Sequence, residues 1–207
     1  EPLLALGARQ LLNEDVLPTR DAILRTSREG DASRRLRAAH LLFAIEGFIN
    51  EFVAADPWFA GWCGVMVNIS DVVAMGGQPV AVVDAVWANG EENASPVLEG
   101  MRDAAAAYGV PIVGGHTNIR TDRHQLSVAI LGRAKTLLTS FDAKPGDILI
   151  AAVDHRGRYR EPFNNWEAAT DAPPDRMRGD LEIMAQIAEA GLALGRPRGG
   201  ARIALTG

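Results

Sequence analysis

The stretch WCGVMVNISDVVAMGGQP, Trp62 to Pro79, constrains the fold more than any other part of the chain. It is almost wholly apolar and reads as a buried helix, yet Asn68 and Asp71 stand three residues apart in its middle. Residues so spaced share one helical face. Gly64 and Met75, each four residues beyond that pair, extend the stripe. A buried carboxylate without a partner costs several kcal/mol, so Asp71 needs hydrogen bonds, a cation or a proton. Asp56-Pro57 supplies a helix start, with Asp as N-cap and Pro at the first helical position. Gly76-Gly77 and Pro79 supply the stop.

Around this helix the apolar pattern predicts alternating strands and helices. HLLFAIEGF (40–48) reads as a buried strand, and VAVVDAVWA (80–88), rich in β-branched residues, as a second. SPVLEGMRDAAAAYG predicts an amphipathic helix with Ser95-Pro96 as cap and first turn and Gly109 as its stop. VPIVGG (110–115) predicts a short buried strand, HTNIRTDRHQ a loop, and LSVAILGRA (126–134) a fourth strand. KPGD (144–147) predicts a turn before a further strand, ILIAAV (148–153). Such alternation over 40–153 defines an α/β region. Residues 2–12 predict a short helix, followed by an arginine-rich polar segment to about residue 40. Beyond 154 come a polar, proline-broken stretch, one more helix and a Gly/Arg-rich end.

Composition narrows the class. The chain has 207 residues, enough for one domain and part of a second. A net charge of −5 argues against a nucleic-acid or anionic-membrane surface. No uninterrupted apolar run reaches the roughly 18 residues of a membrane span. The amino end lacks a signal-peptide layout, so a cytoplasmic protein is expected. The single cysteine, Cys63, excludes an internal disulfide and reads as a small core residue.

The segment VMVNISDVVAMGGQPVAV resembles the helix-turn-strand signature of the AIR synthase (PurM)-like proteins. That superfamily includes aminoimidazole ribonucleotide synthase, thiamine-monophosphate kinase, selenophosphate synthetase and HypE. IVGGHTN resembles the Gly-Gly-acid/His-Thr loop of these proteins, LSVAILGRA the strand after it, and KPGDILIAA the start of their second domain. AADPWFAGWCGVMVNISD, GGHTNIR and GRYREPFNNW look most like the AIR-synthase-related branch. The resemblance spans about 40–153 and divides the chain. Residues 1–40 precede the domain, 41–153 form the PurM-like N-terminal domain, and 154–207 hold a linker, a helix and an incomplete start of the C-terminal domain.

The resemblance implies an α/β fold with a mixed sheet of about four strands and helices on its outer face. Two subunits would pair into an eight-stranded barrel, making a homodimer. It also implies ATP and Mg2+ as cofactors and phosphoryl transfer to, or activation of, a small-molecule substrate, with no nucleic-acid partner and no membrane. Asp71 aligns with the metal-binding Asp of the Ser-Asp pair; the alternative is a carboxylate capping a loop across the sheet. Glu46 stands where relatives carry the Asp of a Thr-Asp motif, or else makes a strand-end salt bridge. Asn68 either lines the nucleotide cleft or bonds to backbone. Imidazole is a poor magnesium ligand, so His116, with Thr117 and the amides of Gly114 and Gly115, is expected on phosphate or substrate. Relatives carry a Gly-Asp-Asp loop for metal; here Gly30-Asp31 is followed by Ala32, leaving Asp31 as a fallback ligand. No catalytic residue is assigned. The reading from another class is a non-catalytic dimerisation or nucleotide-sensing module of the same fold, which the loss at Ala32 favours.

Overall fold

Asp56 separates two helices and serves both. It is the C-cap of α1 (Asn50–Ala55) and the N-cap of α2 (Pro57–Ala74), accepting a hydrogen bond from the Phe59 amide at 3.3 Å. Pro57 begins α2 as expected, and Gly76 follows its end at φ 75°, a conformation glycine adopts without steric cost. The computed structural model describes residues 40–135, 137, 145–146, 155–168, 170–175 and 182, all within the unit His40–Gly207. The helix expected over 2–12, Asp31, the strand over 148–153 and nearly all of the helix after 175 lie outside the described residues.

Strand β1 (His40–Phe48) leads into α1 and α2, followed by β2 (Gln78–Asn89), α3 (Glu91–Tyr108), β3 (Ile112–Asn118) and β4 (Arg120–Ala134). The four strands form one mixed sheet in the order β1-β4-β2-β3, with β3 parallel to β2 and the other pairs antiparallel. The expected mixed four-stranded sheet is present. Helices α2 and α3 pack on one of its faces, where Phe59, Val65, Ile69, Val72, Val97, Met101, Val82, Val86, Val128 and Ile130 form the core.

Two glycines let α2 and α3 touch. A Cβ on Gly61 would stand 2.9 Å from the Val97 carbonyl carbon, and one on Gly100 would stand 2.8 Å from that of Trp58. At the same crossing Trp58 Nε1 donates to Asp103 at 3.0 Å, and this bond holds the Asp103 carboxyl below the usual range.

Four expectations are corrected. Helix α3 starts at Glu91 with Gly90 as N-cap, so Ser95-Pro96 lies inside it. The buried stripe Ala94, Val97, Met101, Ala104 begins before that dipeptide, so the helix extends through Pro96 although the proline removes one backbone bond. Strand β1 is not buried: it is an edge, and Leu41, Phe43 and Ile45 are 63%, 69% and 64% exposed while Leu42 enters the core. Among the described residues strand β3 is also an exposed edge rather than a buried strand. The segment read as a loop, 116–125, is strand apart from Ile119, because β3 and β4 run past the helical cover and can be polar there.

After these elements, β5 (Arg158–Arg160) and β6 (Asn165–Glu167) form a small antiparallel hairpin. No helix among the described residues is long and apolar enough to cross a membrane.

Candidate functional site

Register gives the site its frame. Glu46 on β1 faces Val128 on β4, Val128 faces Asp84 on β2, and Asp84 faces Gly115 on β3. Paired residues point to the same side of a sheet. Here that side is the helical one, because a Cβ on Gly64 would meet Val128 Cγ2 at 2.7 Å. Helix α2 thus lies over β4, with Glu46 and Asp84 on the strands flanking it. Two strand spacings separate them, about 9–10 Å.

Between Ile112 and Gly114 the register slips by one residue, leaving Val113 unpaired opposite the Val82-Val83 step. This bulge resets the alternation of β3. Ile112 faces the core. Gly114 and His116 face the open side of the sheet, beside Val83 and Ala85, and the His116 ring meets Trp87 edge to face at 6.4 Å. Gly115 and Thr117 face the helical side, beside Asp84 and Val86. The Gly-Gly-His-Thr segment is therefore split between the two faces, and all four residues are exposed.

Asn68 is fully buried. Its Nδ2 donates to the Gly64 carbonyl at 2.8 Å and to the Val128 carbonyl at 3.1 Å, tying α2 to the middle of the carboxylate row. Of the two alternatives for Asn68, its geometry matches the bond to backbone and leaves no surface open to a nucleotide. Its Oδ1 has no partner among the described residues. Asp71, one turn further along α2, is partly exposed, and burial alone pushes its carboxyl above the usual range. No hydrogen bond or ion pair reaches the Asp71 carboxylate among the described residues. Glu46 lies on the helical face of β1, its carbonyl accepting from Ser127 Oγ at 3.1 Å.

Asp84 is the carboxylate that sequence reasoning missed, although a lone acid in VAVVDAVWA is itself a signal. It is half-buried, and desolvation raises its carboxyl. Among the described residues, no three His, Cys, Asp or Glu side chains gather closely enough to hold a metal ion.

A second polar network was also missed. Arg160 on β5 lays its guanidinium 4.3 Å from the Phe59 ring centroid and donates to Asp56. Glu167 on β6 is buried, accepting from Thr170 and facing Arg158 at 3.4 Å. Phe163 packs edge to face on Phe52, 5.4 Å between centroids. The buried Cys63 thiol is pushed up to about 12, mainly by burial, with Arg160 opposing.

The family model described as "AIR synthase related protein, N-terminal domain" matches residues 29–134, more than half of the chain. The chain belongs to this family. The AIR synthase related match ends at Ala134, the last residue of β4. An uncharacterized protein of Synechocystis sp. is 47% identical over 152 residues, covering 72% of this chain and 47% of that protein. Thiamine-monophosphate kinase of Pyrococcus horikoshii is 32% identical over 123 residues, covering 57% of this chain and 38% of the kinase. Among solved structures, PurL of Thermotoga maritima complexed with ATP shares the fold at a TM-score of 0.56 with 24% identity. That likeness covers 74% of this chain and 26% of PurL. The AIR synthase related chain thus spans less than half the length of the curated relatives it matches.

Proposed function

We propose that this chain supplies an ATP- and magnesium-binding domain to an enzyme that phosphorylates a small molecule or activates it with ATP. The observation that carries the reading is Asp71. A partly desolvated carboxylate with no described partner, on the helix that bears the family signature, suits a cation that arrives with its ligand. Magnesium typically binds through one or two carboxylates together with phosphate oxygens and water, rather than in an all-protein cage. Asp71 offers one such carboxylate, and among the described residues no three candidate ligands converge. Asp71 and Glu46 would hold the ion, and the ion would neutralise charge on the transferring phosphoryl group. Thr117 and the amides of the exposed edge strand β3 are donors for phosphate, since alternate amides of a sheet edge are unpaired. His116, on the opposite face, would meet substrate or phosphate at the exposed β3 margin.

The protein is proposed to work as a homodimer. Leu41, Phe43, Ile45 and Val83 lie exposed on the sheet face that carries no helix. Closing these side chains against a second copy would bury them and cover the exposed β1 edge.

Calorimetric titration with ATP and ADP, with and without magnesium, tests the reading. Magnesium-dependent binding that weakens in Asp71→Asn is expected. No binding under any condition would refute it. A non-catalytic nucleotide-sensing module is the second reading, favoured by the splitting of the Gly-Gly-His-Thr segment between two faces; it expects binding without ADP release.

A further inference from the structure

We propose that Asp56, Trp58 and Phe59 form a cage for an organic cation of the guanidinium class at the start of α2. Arg160 occupies this cage from within the chain, which makes the β5–β6 hairpin a detachable strap latched by that side chain.

The hairpin is attached by its polar side. Register pairs Arg158 with Glu167, Tyr159 with Trp166 and Arg160 with Asn165, and paired residues share a side. Arg160 and the buried Glu167 lie on the side turned to α2. Tyr159 and Trp166 lie on the other, ring against ring at 5.2 Å, and Tyr159 is 68% exposed. A hairpin fixed by apolar burial would have the opposite arrangement. Among the described residues, none of the buried core side chains comes from 158–167, and Phe163, although packed on Phe52, stays partly exposed. Strand β5 makes no main-chain hydrogen bond outside the hairpin among the described residues.

The cage itself does not need the hairpin. Phe59 belongs to the core, and Trp58 is fixed by its bond to Asp103 on α3 and by Trp62, 5.4 Å away between centroids. Asp56 divides its oxygens: Oδ1 accepts from the Phe59 amide and caps α2, while Oδ2 accepts from Arg160 Nε. The guanidinium stands 4.3 Å from the Phe59 ring centroid and 5.9 Å from that of Trp58. Aromatic faces and one carboxylate around a site select a planar, weakly hydrated cation. Leaving the cage does not strand Arg160. Glu167, whose buried Oε2 makes no hydrogen bond, stands 4.0 Å from Arg160 Nη1 and travels with the hairpin. Release exposes the Asp56 carboxylate and two aromatic faces to another cation of the same class.

Methylguanidinium is the probe, with the full chain throughout. Titration followed at the Trp58 indole should give a Kd about tenfold or more tighter for Arg160→Ala than for the unmodified protein. The double variant Asp56→Asn/Arg160→Ala keeps a helix-capping residue but removes the charge, and should lose that binding. In the unmodified protein the probe should speed hydrogen exchange of the 158–167 amides more than sodium chloride of equal ionic strength does, leaving the β4 amides unchanged. This last measurement needs no substitution, so it decides the matter even where Arg160→Ala does not fold. Equal affinity in the unmodified protein and Arg160→Ala, binding retained in the double variant, or no binding to a folded Arg160→Ala would overturn the cage. Hairpin amides that exchange no faster with the probe than with sodium chloride, or that speed up only together with β4, would overturn the strap.

Discussion

Arg160 Nε donates to the Asp56 carboxylate at 2.7 Å, joining the β5–β6 hairpin to the N-cap of α2 across 104 positions of sequence. Both side chains are mostly buried, at 27% and 22% exposed. Removing one partner of such a pair strands the other charge, which is where the cost arises. Arg160→Ala should therefore destabilise by about 2–4 kcal/mol in urea unfolding. Arg160→Met, which keeps the stem packed on Phe59, should cost less. A loss under about 0.5 kcal/mol would show the pair to be no more than a surface contact.

Gly61 and Gly100 should tolerate no side chain. Each hypothetical Cβ meets a main-chain carbonyl of the facing helix rather than a movable side-chain end. Gly61→Ala or Gly100→Ala is expected to cost about 3 kcal/mol or more by forcing α2 and α3 apart. Thermal unfolding measures this; a Tm within about 2 °C of the original would contradict the close crossing.

The open sheet face should be an interface. Light scattering at micromolar concentration is expected to give a dimer for the unmodified chain and a monomer for Phe43→Asp. A folded, compact monomer without any substitution would count against the pairing.

Asp71→Asn should separate binding from stability. Burial raises the Asp71 and Asp84 carboxyls, so the folded protein binds these protons more tightly than the unfolded chain does. Their contribution then becomes more favourable as pH falls through the raised folded pKa towards the ordinary carboxylate range, and is lost as pH rises. Asp103, held low, works in the opposite direction. Asp71→Asn should raise the neutral-pH Tm slightly and flatten its gain on mild acidification, while weakening magnesium-dependent nucleotide binding. A sharp fall in Tm with unchanged binding would make Asp71 a structural carboxylate.

Helix α2 was legible because its signals are local: Asp56-Pro57 at one end, a glycine pair at the other and an apolar run between. Gly109 was legible for the same reason, taking φ 71° as the stop of α3. The start of α3 was misread because Ser95-Pro96 has the form of a cap, while the packing of the whole buried stripe from Ala94 onward depends on a distant surface. Asn68 shows a similar limit. Its spacing from Asp71 placed both on one stripe, but Asn68 bonds to the Val128 carbonyl, sixty positions away in sequence. Edge strands β1 and β3 were read as buried because apolar sequence alone does not reveal which face the helices cover.

The unpaired Val113 gives β3 something like a parity. The bulge absorbs that one extra position, so deleting Val113 would close it and leave Gly114 beside Val83, Gly115 beside Asp84 and His116 beside Ala85. Keeping Val113 but pairing it regularly would instead turn His116 towards the helices and Gly115 towards the open face, without any change in the order Gly-Gly-His-Thr. The facing of this strand is therefore a property of its pairing and not of its letters. Two relatives that agree at all four letters can present opposite chemistry if only one of them carries the bulge.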